Sequence, residues 1–414
     1  MKKLILILLL AQPVLANQLL VPMDLSQSNH LKAYGFTFDI LNNNGTVHWM
    51  LNYRGGSFMT DATSRNELQA RLAGVDYVII SDAEAEAIRV LVQQENMEEV
   101  LLEKPPKIAV YAPPNFQPWD DAVTLALNYA GVSYDLVFDK EVLLGKLDDY
   151  DWLHLHHEDF TGQYGKFWLS FRNAQWYIEN QMEAEELAQS LGFDKVWKLK
   201  HNVALKIRDY VDGGGFIFAM CSATDTIDLA LAYLGTDIAP QQFDGDGIDP
   251  AREQKRNDSR TFAFTDFTLM TNPMKYEFST IDTSDYAKLR GAQADYFTLF
   301  DFSAKQDPVP TMLTQCHVNV INGFMGQTTG YKKDLLKKHI IILAEVEGAN
   351  EVRYIHGKLG DGTFTFYGGH DPEDYQHRVG DPPTDLDLHR TSPGYRLILN
   401  NILFPAAKKK KLKT

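Results

Sequence analysis

Only two cysteines occur among 414 residues. That excludes a disulfide-built scaffold and leaves a fold that depends on its core. Beyond the first residues, no apolar stretch approaches the roughly 20 residues of a spanning helix, so no membrane span is expected. Basic residues are in the minority, with 40 Lys plus Arg against 55 Asp plus Glu and a formal charge of −15. A surface this acidic repels phosphate backbones and excludes nucleic acid as a partner. The glycines of "DGGG", 212–215, are not followed by Gly-Lys-Ser/Thr, which excludes a P-loop, and no H-E-x-x-H zinc signature occurs. There is no internal repeat, and the only biased segment is the basic tail at 406–414, which reads as a solvated end.

What is present begins with a leader. "MKKLILILLLAQPVLA", 1–16, has a basic start, a short apolar run, and Val14 and Ala16 at the −3 and −1 positions of a cut before Asn17. This is the pattern of a secretory signal peptide and predicts a periplasmic or secreted protein. The remainder is 44% apolar and 12% aromatic over the whole chain, enough for a substantial core. Residues 17–104 read as a small α/β region: "QLLVPMD" a strand, "SQSNHLKAYG" a helix stopped by Gly35, "FTFDIL" and "VHWMLNY" a hairpin around "NNNGT", "DYVIIS" a strand and "DAEAEAIRVLVQQ" a helix. "EKPPK" marks a boundary.

From there to about 405, short apolar strands ("KIAVYAP", "YDLVFD", "DWLHLH", "FIFAMC") alternate with helical stretches. This pattern predicts a parallel sheet covered on both faces, with reactive groups at the carboxyl ends of its strands. A polar, irregular insertion spans about 236–300. It is followed by the strand "KHIIILAEVE", the hairpin "EVRYIHGKLGDGTFTFYGGH" and the closing helix "SPGYRLILNNILF". "TMLTQCHVNVING" also reads as a strand, and Cys316 within it is a candidate disulfide partner for Cys221.

Three clusters can carry chemistry. Cys221, after "GGGFIFAM", stands where a strand turns into a helix; a helix N-terminus there favours a thiolate. It is also a small residue suited to packing at a bend, and the sequence leaves both readings open. A nucleophile needs a base and an orienting group. His370 is the candidate base, with Glu373, Asp371 or Asp374 as its carboxylate. The second cluster is "HLHHED". His154 and His156 share one strand face, and His157, Glu158 and Asp159 follow on a loop, suited to binding substrate. No cofactor is required, and a divalent metal is the one cofactor the residues admit, with His154, His156, Glu158 and His370 as candidate ligands. The third is "GGHDPEDYQHR", where Gly369 permits close backbone approach and His377 joins the charged loop.

These stretches resemble the class I glutamine amidotransferase-like fold, and within it the trehalose-utilisation (ThuA-like) proteins. "YVDGGGFIFAMCSA", "GDGTFTFYGGHDPEDY" and "SPGYRLILNNILF" carry the likeness, in that order, over roughly 107–405. It implies a flavodoxin-like parallel sheet, with Cys221 at the nucleophile elbow and His370 at the base position. Ala219 and Ala223 stand where the amidotransferases have glycines. The chain also resembles exported Bacteroidetes-type proteins often labelled asparagine synthetase B, through "LHLHHEDFTGQYGKF" and "FYGGHDPEDYQHRVGDP". Lys2 rather than Cys follows Met1, and no pyrophosphate loop is present, so the synthetase motifs are missing. The expectation is an exported amidotransferase-like hydrolase acting on an amide or sugar-derived small molecule through a Cys-His-carboxylate site. The alternatives are a non-catalytic carbohydrate-binding protein and a metal-dependent hydrolase. Oligomeric state is not encoded in any recognisable pattern.

Overall fold

The computed structural model describes residues 17–115 and 117–407. The expected signal peptide at 1–16 and the basic tail from Lys408 onward lie outside the described residues. Two sheets are built. The first uses β1 (Asn17–Val21), β2 (Val47–Leu51), β3 (Ser57–Asp61), β4 (Val78–Ser81) and β5 (Glu98–Leu102), in the order β4-β1-β3-β2-β5 and wholly antiparallel. The second holds nine strands: β6 (Ile108–Tyr111), β7 (Asp135–Val137), β8 (Trp152–Leu155), β9 (Phe216–Met220), β10 (Tyr296–Leu299), β11 (Val320–Asn322), β12 (Ile341–Glu345), β13 (Val352–Leu359) and β14 (Gly362–Tyr367). Its order is β11-β10-β12-β13-β14-β9-β8-β6-β7.

The purely parallel sheet expected from the sequence is thus a mixed one. β7, β6, β8, β9 and β14 run parallel, and β13, β12, β10 and β11 add antiparallel strands beyond them. Short connections explain the difference: β13 and β14 join through a tight hairpin, which forces antiparallel pairing, whereas parallel pairs need a crossover. β10 belongs to this sheet, so the irregular segment after 236 returns to the core before residue 300.

The central strands are apolar on both faces because both faces are covered. Trp152, Phe216, Phe218 and Met220 pack toward one layer, with helices His30–Asn42, Ala122–Ala130 and Pro393–Leu403. Leu153, Leu155, Ile217 and Ala219 pack toward the other, with helices Val196–Asp212 and Ala223–Ala232. The first layer joins the two sheets. Tyr34 donates to Asn400, and the buried Arg396 donates to Met23 O at 2.8 Å. Among the described residues no helix is long and apolar enough to cross a membrane.

Two local expectations are corrected. "FTFDIL" is helix, not strand: His30–Asn42 is continuous, with Leu31, Tyr34, Phe38 and Leu41 buried at helical spacing. Gly35 is interior to that helix rather than its stop. A Cβ there would lie 1.8 Å from Ala130 O, so glycine is what allows this helix to touch Ala122–Ala130. Cys316 is not on a strand. It follows the helix Pro308–Leu313 in irregular chain, and both cysteines are free thiols.

Candidate functional site

The parallel strands set the site by register. Tyr111 of β6 lies level with Leu155 of β8, Leu155 with Ala219 of β9, and Met220 with Tyr367 of β14. The residues just past these ends therefore gather at one edge: 112–115 and 117–121, His156 and His157, Cys221, and Gly368 to His370. That is where open α/β sheets place their ligands.

Cys221 is the turn between β9 and helix Ala223–Ala232. Its φ is +52°, a left-handed conformation that costs a non-glycine residue roughly 1–3 kcal/mol. The turn is held from both sides. Cys221 N–H donates to Gly369 O (3.1 Å), and the Gln327 N–H points at Cys221 Sγ (3.3 Å). Gly369 has φ +96°, and a Cβ on Gly326 would lie 2.8 Å from Gly369 C, so these two glycines permit the backbone approach that brings Gln327 to the sulfur. Cys221 is 3% exposed, yet it lines a cavity of about 210 Å³ with Trp119, His157, Gln327, His370 and His377.

His370 lines the same cavity as Cys221 and lies beside Asp120. Its Nδ1 lies 3.1 Å from His156 Nε2, and its Nε2 lies 3.7 Å from Asp120 Oδ1. His156 Nδ1 is in turn 2.8 Å from Asp121 Oδ2. Burial works against charge on His370, but its contacts with Asp120 and Cys221 outweigh burial and push its pKa up to about 9. His156 goes the other way: burial takes it down to about 4 despite Asp121, and burial holds His157 well below the usual range. His377 Nε2 sits 2.8 Å from Asp120 Oδ1, and its Nδ1 sits 3.0 Å from Asp374 Oδ2. The contact with Asp120 raises the His377 pKa. Burial would raise Asp120, and the His370 and His377 rings beside it hold it far below the ordinary range.

The expected orienting carboxylates are engaged elsewhere. Asp371 accepts from Glu373 N–H (2.9 Å), Thr384 hydroxyl (2.7 Å) and Tyr395 hydroxyl (2.9 Å), which anchors its loop to the closing helix. Glu373 pairs with His389 at 3.0 Å. The chain turns both side chains away from His370, and Asp120, at 3.7 Å, is the carboxylate beside its Nε2.

The ligand set His154, His156, Glu158 and His370 is not assembled either. His154 has Nε2 on Asp121 Oδ2 (2.9 Å) and Nδ1 on Phe218 O (3.1 Å), inside the sheet layer. Glu158 faces Lys200 at 3.9 Å, with its pKa raised to about 7 by burial. Asp159 is structural, accepting the backbone N–H groups of Thr161, Gln163 and Gly165. His156, His157, Glu158 and Asp159 do line a second cavity, of about 930 Å³, with Trp119, Trp176, Tyr177, Asn180 and Lys200.

Sequence reasoning missed Asp120 and Asp121. "PWDDAVTLALNYAG" reads as a helix with acidic residues at its start, which is an ordinary capping pattern. Asp121 is indeed the N-cap, accepting Thr124 N–H through Oδ1 (2.8 Å), but its Oδ2 serves His154 and His156. Two adjacent acids before one helix, where capping needs one, were the available signal.

No family model matches the chain, and no curated protein does. Among solved structures, two cytoplasmic proteins of Salmonella typhimurium align over 72% of this chain and 97% and 98% of their own. Their identity is 11%, with TM-scores of 0.33 and 0.34. A GH42 β-galactosidase aligns over 65% of this chain and 28% of its own, at 9% identity and a TM-score of 0.26.

Proposed function

We propose that the chain is an exported amidotransferase-like hydrolase that cleaves an amide or sugar-derived small molecule through Cys221, His370 and Asp120. One observation carries the reading: Cys221 holds φ +52° at a strand-to-helix elbow and lines the same cavity as His370. Backbone strain of this kind persists where the surroundings over-determine it, and such positions cluster at reactive sites. The mixed α/β architecture is compatible with a flavodoxin-like sheet of the class I glutamine amidotransferase type over 105–405, preceded by the 17–104 unit and carrying the insertion of about 236–300.

In the proposed reaction the Cys221 thiolate attacks the substrate carbonyl carbon, and the π-electron pair moves to oxygen. The Gln327 N–H beside Sγ is positioned to help hold the developing negative charge. Collapse breaks the C–N bond, His370 gives its proton to the departing amine, and a thioester remains on Cys221. Water then attacks the thioester and gives a proton to His370. Expulsion of the thiolate restores the starting state. Asp120 orients His370, and the cavity of about 930 Å³ alongside is the place for the rest of the substrate.

That second cavity favours one other reading, a carbohydrate-binding protein without catalysis, because Trp119, Trp176 and Tyr177 offer faces for sugar rings beside Asn180 and Glu183. A screen of simple amides and amino-sugar amides separates the two. The hydrolase reading expects turnover and a mass adduct on Cys221 that Cys221→Ser abolishes. Sugar binding with no adduct, or turnover unaffected by Cys221→Ser, sinks it.

A further inference from the structure

Hydrogen bonding at this edge leaves polar atoms of the proposed base, of its carboxylate and of His377 unmatched. Both carboxylate oxygens of Asp120, His370 Nε2 and His377 Nε2 are buried without a hydrogen-bond partner. The side chains of Asp120, His370 and His377 are 8%, 8% and 2% exposed. Asp120 Oδ1 lies 2.8 Å from His377 Nε2 and 3.7 Å from His370 Nε2, close approaches without hydrogen-bond alignment. Buried polar atoms left unmatched in this way are costly, at about 1–3 kcal/mol each.

We infer that Asp120 Oδ1, His370 Nε2 and His377 Nε2 form a binding site for a divalent transition cation of the zinc type. Each of the three residues offers a donor atom within 4.8 Å of the other two. Donors at about 2.0–2.1 Å from a tetrahedral ion are about 3.3 Å apart, and the two measured separations bracket that value. Two imidazoles and one carboxylate suit zinc, iron or cobalt rather than calcium or magnesium, which take oxygen ligands.

The other nitrogen of each ring supplies the independent support. A metal-binding histidine is normally held through its second nitrogen. His377 Nδ1 lies 3.0 Å from Asp374 Oδ2, and His370 Nδ1 lies 3.1 Å from His156 Nε2, which Asp121 backs at 2.8 Å. Both rings thus turn Nε2 toward the same point as Asp120. His370 and His377 line the cavity of about 210 Å³ that Cys221 also lines, which gives an entry path. The neighbouring group of Asp121, His154 and His156 lacks this character. Both His154 nitrogens are spent, on Asp121 Oδ2 and Phe218 O, and His156 Nε2 is spent on His370, which leaves only His156 Nδ1 unmatched.

This site goes beyond the hydrolase reading. An ion on His370 would occupy the base, so metal and thiol chemistry would exclude each other. The test is calorimetric titration of the chelator-treated full chain with Zn²⁺, repeated with Co²⁺ to read its ligand-field spectrum. One equivalent should bind. Affinity should fall at least about tenfold in Asp374→Asn and further in His377→Ala, while circular dichroism stays unchanged. Cys221→Ser should keep the stoichiometry. Absence of saturable binding, or affinity unchanged in both Asp374→Asn and His377→Ala, overturns the inference. Cys221 alkylation measured in chelator is a separate readout: a thiol that stays silent in chelator, in a protein that binds one equivalent of metal in the titration, discards the hydrolase reading alone.

Discussion

Gly35→Ala tests how tightly the fold positions this edge. Alanine in a helix interior is favoured over glycine by about 1 kcal/mol, so propensity alone predicts stabilisation. The structure predicts the opposite sign. The new Cβ would lie 1.8 Å from Ala130 O and 2.7 Å from Ala130 C, both backbone atoms that no rotamer change can move aside. The helices His30–Asn42 and Ala122–Ala130 would have to part by more than 1 Å to restore contact distance. Overpacking of this kind costs about 1–3 kcal/mol, and a backbone obstacle puts it at the upper end. The net expectation is destabilisation of about 2 kcal/mol, read as a lower urea midpoint with an unchanged slope. The shift should also reach the site, because Asp121 caps the displaced helix and holds His154 and His156. Alkylation of Cys221 should therefore change in the same variant. Gly131→Ala is the control: its Cβ meets open space, but φ is +76°, so it should lose only about 1 kcal/mol through backbone strain. A stabilised Gly35→Ala protein would refute the close helix contact.

Three further outcomes are expected. Burial raises the pKa of Asp282 to about 7, so its contribution to stability is present below about pH 4, where the unfolded carboxyl also holds its proton, and is lost as pH rises toward 7. Asp282→Asn keeps an acceptor for Ser284 and Thr329 N–H and removes the buried charge. The fall in unfolding free energy across that window should flatten, by up to about 4 kcal/mol at pH 8, and an unaltered profile would count against it. Tyr395→Phe removes a 2.9 Å donor from the fully buried Asp371 and should cost about 1.5–3 kcal/mol in chemical denaturation; a neutral result would mean Asp371 does not anchor its loop through Tyr395. Asp120→Asn should lower turnover on any substrate found by about a hundredfold or more, while Asp371→Asn should act chiefly on stability; equal losses of turnover would erase the distinction between the two carboxylates.

The apolar strands were legible in the sequence because burial on both faces writes itself as continuous runs such as "FIFAM". The helix at 30–42 was misread because glycine usually marks an end, and nothing local announces that a distant helix comes close at Gly35. Cys221 and His370 could be singled out because each follows a recognisable strand. Asp120 could not be paired with His370, since the contact spans the sheet edge and rests on register between β6, β8, β9 and β14. Asp371 and Glu373 were nearer in sequence, but their loop doubles back to Tyr395 and His389.

The central claim is that Cys221 is a reactive thiol activated by His370. Its most direct test is the alkylation rate of Cys221 at neutral pH in chelator, in the native Cys316→Ala background, with and without His370→Ala. A free thiol of pKa about 8.5 is only a few per cent thiolate at pH 7. The account predicts labelling about tenfold faster than a model thiol, and loss of that excess in His370→Ala. Labelling that appears only on unfolding, or that is indifferent to His370→Ala, would contradict it and make Cys221 a packed residue at a bend.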